Sequence, residues 1–291
     1  MNESGTPKAP RAFSWFPGHM RKALRLLEET LVLADAVLMV LDARIPSSSR
    51  QPDLEGMLRR KGKDSLLVLN KADLAEKSET ERWLACLRRE GHHVAAMRAV
   101  TGRGPGPLEK PLEQLRQAVH SRRKQRGLLP RDPRLVVVGI PNVGKSSLLN
   151  RLAGAARACT GAKPGVTRGN QWVAVPGKWQ ILDSPGILYP RIEGEDILTS
   201  LAAVSCVSLD AIPLERVGGL LLERLLRRNH PPRALDVEDP EAGPEALLRA
   251  LARRKSFLLN AQEEDLPRTA RWLLQSFARG DLGQVTLETA P

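Results

Sequence analysis

The sequence predicts an α/β protein: a largely parallel sheet flanked by helices, followed by a small all-α domain. Three observations carry that prediction. Short apolar runs rich in β-branched residues alternate with stretches of helical apolar spacing as far as residue 209, and runs of that kind are strands buried on both faces of a parallel sheet. One of them, Leu135 to Val138, opens into G-x-x-x-x-G-K-S over Gly139 to Ser146 and then into helical spacing from Ser147. From Asp210 onward no strand-loop-helix unit recurs, and three helical stretches carry Leu and Ala on one face and Arg on the other. The expected division is therefore 1–209 for the sheet domain and 210–291 for the helical one.

After a polar start, Phe13 to Met20 is aromatic and turn-forming, and from Arg21 the residues Ala23, Leu24, Leu27 and Leu31 share one helical face. Ala36 to Leu41 reads as a buried strand ending at Asp42, with DARIPSSS as a loop at its carboxyl end, the edge where open α/β sheets bind ligands. A helix over Pro52 to Lys61 and a strand over Ser65 to Leu69 lead into Asn70-Lys71-Ala72-Asp73. Ser78 to Glu90 follows as a helix, with Ser78 as N-cap, Glu81 completing a capping box and Gly91 as the stop. Val94 to Val100 is a strand, Leu108 to His120 a helix, and Ser121 to Pro133 a basic connector that fits either solvent or an anionic partner. Ala153 to Asn170 has no apolar period and reads as a long loop, and Gln171 to Val175 and Lys178 to Leu182 flank Pro176-Gly177 as an antiparallel hairpin. Helix Glu195 to Ser208 closes the sheet domain. Pro213 to Arg228, Pro244 to Phe257 and Leu266 to Ala278 form the helical domain, with QVTLETAP as a polar tail. Its arginines, among them Arg224, Arg249, Arg253 and Arg271, fit RNA phosphates or solvated stripes.

Composition narrows the partners. The 291 residues hold 45 Lys and Arg against 33 Asp and Glu, a net charge of +12 that favours a polyanion. Aromatics are only 3%, which argues against a base-stacking platform for single strands and for contacts to phosphate and shape. Cys86, Cys159 and Cys206 have neither paired nor metal-type spacing and read as reduced thiols. No apolar stretch approaches the ~18 residues of a membrane span, and the first dozen residues lack the apolar core of a secretory signal. The expectation is a cytoplasmic protein with no membrane partner. Without heptads or a large apolar surface, it is expected to be a monomer.

A strand, the Gly139 to Ser146 spacing and a helix together make the phosphate-binding loop of P-loop NTPases. Pro141, Asn142, Val143 and Gly144 form the turn around the anion, and the unpaired donors at Lys145, Ser146 and Ser147 belong to a helix N-terminus aimed at it. Lys145 reaches the outer phosphates and the Ser146 hydroxyl ligates Mg²⁺. In N-K-A-D, Asp73 accepts from the N1–H and exocyclic amine of guanine, which adenine cannot donate. Asn70 faces the N7 and O6 edge, and the Lys71 stem lies along the base. Thr167, 22 residues after Lys145, is placed to complete the Mg²⁺ shell and to meet the γ-phosphate with its N–H. Asp183 and Gly186 form D-x-x-G after a strand, Asp183 holding Mg²⁺ through water and the Gly186 N–H sensing the γ-phosphate. These are the parts of a Ras-like GTPase, with GTP as substrate and GDP as product. Ile187 stands where a Ras-like enzyme orients water with Gln, which predicts slow intrinsic turnover.

The motifs come in an unusual order: N-K-A-D lies 66 residues before Gly139, whereas a Ras-type chain has it after the phosphate loop. The loops still converge on one nucleotide if the same sheet is cut and rejoined, Ser121 to Pro133 being the join. WFPGHMRKA from Trp15, DARIPSSS, LNKADL, GIPNVGKSSLLN, PGVTRG, LDSPGIL and RTARWLLQSFARGDLG together resemble the circularly permuted GTPases of the ribosome biogenesis GTPase A type over nearly the whole chain. That resemblance implies hydrolysis stimulated by the ribosomal particle, action in late assembly of the large (50S) subunit, and an rRNA-contacting helical domain. It makes His19, which by itself fits a helix start equally well, a candidate catalyst once the ribosome orders the N-terminal segment. It also sets Asn142 where similar GTPases hold K⁺ beside the phosphates. The family contacts guanine O6 from a Ser-Ala loop; Arg98-Ala99 stands there in this chain, and the Ala99 N–H is expected to make the contact. Two other readings fit the same residues: a GTP-dependent RNA-binding module with little hydrolysis, for which Ile187 speaks, and a GTPase acting on the small subunit or tRNA.

Overall fold

A computed structural model describes residues 18–100, 104–154, 172–175, 178–183, 192–228, 231–235, 237, 239, 241–260 and 263–291. The elements run α1 (Gly18–Leu33), β1 (Ala36–Asp42), α2 (Pro46–Ser49), α3 (Pro52–Arg60), β2 (Asp64–Asn70), α4 (Lys77–Arg89), β3 (His93–Ala96), α5 (Glu109–Gln125), β4 (Arg134–Val138) and α6 (Lys145–Ala153). They continue with β5 (Trp172–Val175), β6 (Trp179–Asp183), α7 (Glu195–Ala203), α8 (Leu214–Leu226), α9 (Pro244–Arg254), β7 (Leu258–Asn260), β8 (Glu263–Glu264) and α10 (Leu266–Arg279).

Six strands form one sheet in the order β3-β2-β1-β4-β6-β5, parallel except for the β5–β6 hairpin. Alternate residues of the central strands face opposite layers. Leu38, Val40, Val68 and Val137 join Leu115, Leu148 and Leu149 on one side, while Val37, Met39, Leu67 and Val136 join Leu31, Leu58, Trp83 and Leu87 on the other. Every residue of β1 is buried, as the continuous apolar runs require for a strand covered on both faces. The sheet and the C-terminal helices share a core, because the cluster around Leu38 and Val137 continues through Leu201 of α7 to Leu221 of α8 and Leu273 of α10.

Several expectations change: α5 runs on to Gln125, into the stretch expected as a connector, and α7 ends at Ala203 rather than Ser208. The Ser78–Glu81 capping box does not form: the N-cap is Glu76, without a side-chain cap bond, and its N–H donates to Thr286 Oγ1 at 3.0 Å. The third strand ends at Ala96 rather than Val100. In the C-terminal part, α9 stops at Arg254, and Ser256 takes a left-handed φ of 54° that turns the chain into the short β7–β8 hairpin.

The tail QVTLETAP, polar by composition, is a strap laid across the carboxyl edge of the sheet. The Val285 N–H donates to Leu74 O at 3.0 Å and the Leu287 N–H to Arg44 O at 2.8 Å. Trp83 Nε1 donates to Glu288 O at 2.9 Å, and the Gln284 amide donates to Asp73 O at 3.1 Å. Leu282, Val285 and Thr286 are buried, and Leu287 and Glu288 are half-buried, so the tail is packed rather than solvated.

Candidate functional site

In the strand order the chain reverses at β1 and β4, and the crevice beyond their carboxyl ends is the ligand position of open α/β sheets. β4 delivers the Gly139–Gly144 loop there, and β2, on the other side of β1, delivers Asn70 to Asp73. Two glycines make the loop possible. Gly139 has φ 153°, and a Cβ on it would run into the Val40 carbonyl; Gly144 has φ 93°, and a Cβ on it would strike the Asn70 amide. Between them Asn142 adopts φ 60°, a left-handed conformation that Asn tolerates better than most residues.

Asn70 joins the two segments. Its Nδ2 donates to Val143 O at 2.7 Å and its Oδ1 accepts from the Ala99 N–H at 2.9 Å, in a position only 1% exposed. The two loops therefore border one crevice despite their reversed sequence order. The amide expected at the base edge has both ends engaged by main chain, and the Ala99 N–H expected at guanine O6 is directed to Asn70 instead.

Lys145 lies at the start of α6, where its ammonium donates to Ile140 O at 3.1 Å and so stays over the loop. Ser146 and Ser147 occupy the first turn of the same helix, whose N–H groups and dipole favour an anion. Asn142 Nδ2 donates to Ser205 O at 2.5 Å, which fixes the amide and turns its oxygen away from that bond. Beneath the loop the Cys206 thiol donates to Pro141 O at 2.9 Å, and burial pushes its pKa up to about 12, so it stays a neutral donor.

A charged chain extends from the base side of the crevice. Lys71, at φ 58°, places its ammonium 3.0 Å from Asp42 Oδ2, and the same carboxylate is held by Arg44 through Nε and Nη2, both at 2.9 Å. Burial alone would raise the Asp42 pKa, but Lys71 and Arg44 outweigh it and hold the carboxyl below the usual carboxylate range. Arg44 is itself buried and donates onward to Phe277 O and Ala278 O, the carbonyl end of α10. Asp73 sits in the turn closed by the Leu74 N–H to Lys71 O bond, and its carboxylate meets Arg98 Nε at 3.1 Å. Neither the DAR segment nor the tail announced this role in the sequence. The only available signal was a charged D-x-R immediately after a wholly apolar strand, where a buried carboxylate needs a cationic partner.

Some expected site residues are placed only in part. His19 is the second residue of α1, and Asp183 ends β6, its backbone in register with Val137 of β4 two residues before Gly139. Thr167 and Gly186 lie outside the described residues.

A phosphate loop on β4, an N-K-A-D loop on β2 and the reversed order of the two define a circularly permuted P-loop GTPase, an enzyme that hydrolyses GTP. The family model described as "50S ribosome-binding GTPase" matches residues 134–223. Ribosome biogenesis GTPase A of Bacillus licheniformis is 38% identical over 277 residues, covering 94% of this chain and 97% of that protein. The protein of the same name from Bacillus cereus is 34% identical over 278 residues, covering 94% and 93%. The crystal structure of GNP-bound YlqF from T. maritima superposes with a TM-score of 0.68 at 26% identity, covering 92% of this chain and 98% of that one, and its GDP-bound structure does so at 0.67. The chain belongs to the ribosome biogenesis GTPase A family.

Proposed function

We propose that this GTPase is an assembly factor for the large ribosomal subunit, binding rRNA under the control of its nucleotide state. The observation that carries the reading is the Asn70 to Val143 bond, which brings the guanine-type loop and the phosphate-type loop to one crevice. In this reading Asp73 selects guanine, Lys71 lies along the base, and Asn142 to Ser147 hold the phosphates. The hydroxyls of Ser146 and Thr167 would hold Mg²⁺ directly and the Asp183 carboxylate through water, and the ion would neutralise phosphate charge. The Asn142 amide oxygen is the corresponding donor for K⁺. His19 acts on the attacking water when the particle orders the segment that carries it, because Ile187 offers no hydrogen bond for that task. Loss of the γ-phosphate releases Thr167 and Gly186 together, and the segment following them leads into α7 and the helical part, residues 210–291.

The protein acts as a cytoplasmic monomer in this reading; among the described residues no helix is long and apolar enough to cross a membrane. The test is phosphate release under multiple turnover with large subunits, with small subunits and alone. Stimulation by large subunits only is expected. Stimulation by small subunits or by neither overturns the assignment. His19→Ala with wild-type turnover on large subunits removes the histidine from the mechanism, and equal rates in K⁺ and Na⁺ remove the potassium site.

A further inference from the structure

A strongly basic part of the described surface lies at the opposite edge of the sheet from the nucleotide loops. Segments 59–64 and 121–132, which carry the ends of α3 and α5, the start of β2 and the approach to β4, hold nine Lys and Arg against two carboxylates. Of the acids in and beside these segments, two are engaged by several of the cations. Asp64 pairs with Arg122. The neighbouring Asp35 takes Arg131 at 2.8 Å, Arg123 at 3.6 Å and the Arg134 N–H at 2.7 Å. Lys61, Lys124 and Arg126 are exposed and have no ion pair among the described residues.

Lys61, Lys63, Arg122, Arg123 and Arg126 line a small concavity of about 90 Å³ together with Asp35, and Lys124 lies beside it in sequence. Lys63 donates to Ala34 O at 2.5 Å. Burial, together with the nearby charges of Arg122, Lys61 and Arg126, lowers its pKa against the pull of Asp35. A bound anion relieves that repulsion. Several C-terminal arginines that the sequence offered as an RNA face differ: Arg249 and Arg253 pair with Glu264, Arg271 with Asp210, and Arg228 with Glu76.

We propose that this amino-edge face is a docking surface for the phosphate backbone of RNA, an inference that rests on the ribosomal reading above and locates a contact for it. Arg and Lys in excess over their acidic neighbours give the sequence-independent phosphate contacts that position a protein on nucleic acid. Leu128 and Leu129, 48% and 83% exposed, lie beside the cations. They form a short turn rather than the long apolar face by which an interfacial helix enters a membrane. β1 is seven residues long, which separates this face from the nucleotide loops by about 20 Å. The docking surface and the GTP site can therefore be altered independently.

The test is the triple substitution Lys61→Gln, Lys124→Gln, Arg126→Gln in the full chain, with binding to large subunits measured across salt concentration. The expected result is a slope of log affinity against log salt shallower by about 2, with binding at least tenfold weaker at moderate salt and GTP turnover without subunits unchanged. A slope and affinity equal to wild type overturn the inference. If wild type itself fails to bind subunits, the ribosomal reading fails, and the face is then judged on a 20-base-pair duplex RNA by the same slope. Phosphatidylserine vesicles form the last arm: a triple variant that loses vesicle binding but keeps its RNA slope contradicts the proposal.

Discussion

Asn70 Nδ2 donates to Val143 O at 2.7 Å, so one side chain bonds the phosphate loop while its own backbone belongs to the guanine loop. The bond spans 73 residues of sequence and ties the two loops across the carboxyl edge of the sheet. Replacing Asn70 with Ala leaves the Val143 carbonyl and the Ala99 N–H unsatisfied in a buried place, a cost of about 1–3 kcal/mol per group. The expected outcome is a guanine nucleotide affinity at least tenfold lower, read by fluorescence of a labelled GDP, with the far-ultraviolet circular dichroism of wild type.

Gly144→Ala tests the same contact from the other side. The new Cβ meets the Asn70 amide, and the φ of 93° disfavours any side chain. Nucleotide affinity is expected to fall as far as in Asn70→Ala, and the double variant to be little worse than either single one, because both act on one contact. Additive losses in that cycle contradict the coupling.

Asp42→Asn removes the charge that holds both Lys71 and Arg44. Arg44 is then buried without its counter-ion, which destabilises by about 3–5 kcal/mol where such a pair is broken. The sign of the pH dependence follows from the depressed carboxyl. With a native pKa below the unfolded value of about 3.9, the stabilisation is intact above that pH and is lost as the solution is acidified below it. Denaturant titrations at pH 7 and pH 3 are expected to show a smaller loss on acidification in Asp42→Asn than in wild type.

Deleting residues 284–291 removes the Gln284 bond to Asp73 O and the Val285 bond to Leu74 O. Asp73 is then held less firmly toward the base edge. Affinity for GDP is expected to fall more than affinity for IDP, which lacks the exocyclic amine that Asp73 accepts. Equal losses for the two nucleotides would show that the strap contributes stability alone.

The strands β1, β2 and β4, the phosphate loop and the β5–β6 hairpin were legible because each is encoded by neighbours in sequence: apolar runs, two glycines at fixed spacing, a Pro-Gly pair between two short runs. What escaped the sequence is long-range. Ser78 and Glu81 have the spacing of a capping box, but Thr286 takes the Glu76 N–H and the helix starts before them. The alternation in VTLE is too short to distinguish a packed strap from a solvated tail. Asn70 was read toward the ligand because its motif is local, whereas its partners Val143 and Ala99 arrive from two other strands.

The account rests on Asn70 to Asp73 and Gly139 to Ser147 holding one guanine nucleotide between them. Asp73→Asn, measured against GDP and XDP, tests it most directly, since the amide donates to the xanthine 2-oxo group where the carboxylate accepted from guanine. The account predicts that preference inverts, XDP binding the variant more tightly than GDP while the wild type does the reverse. A variant that keeps the wild-type preference for GDP contradicts it.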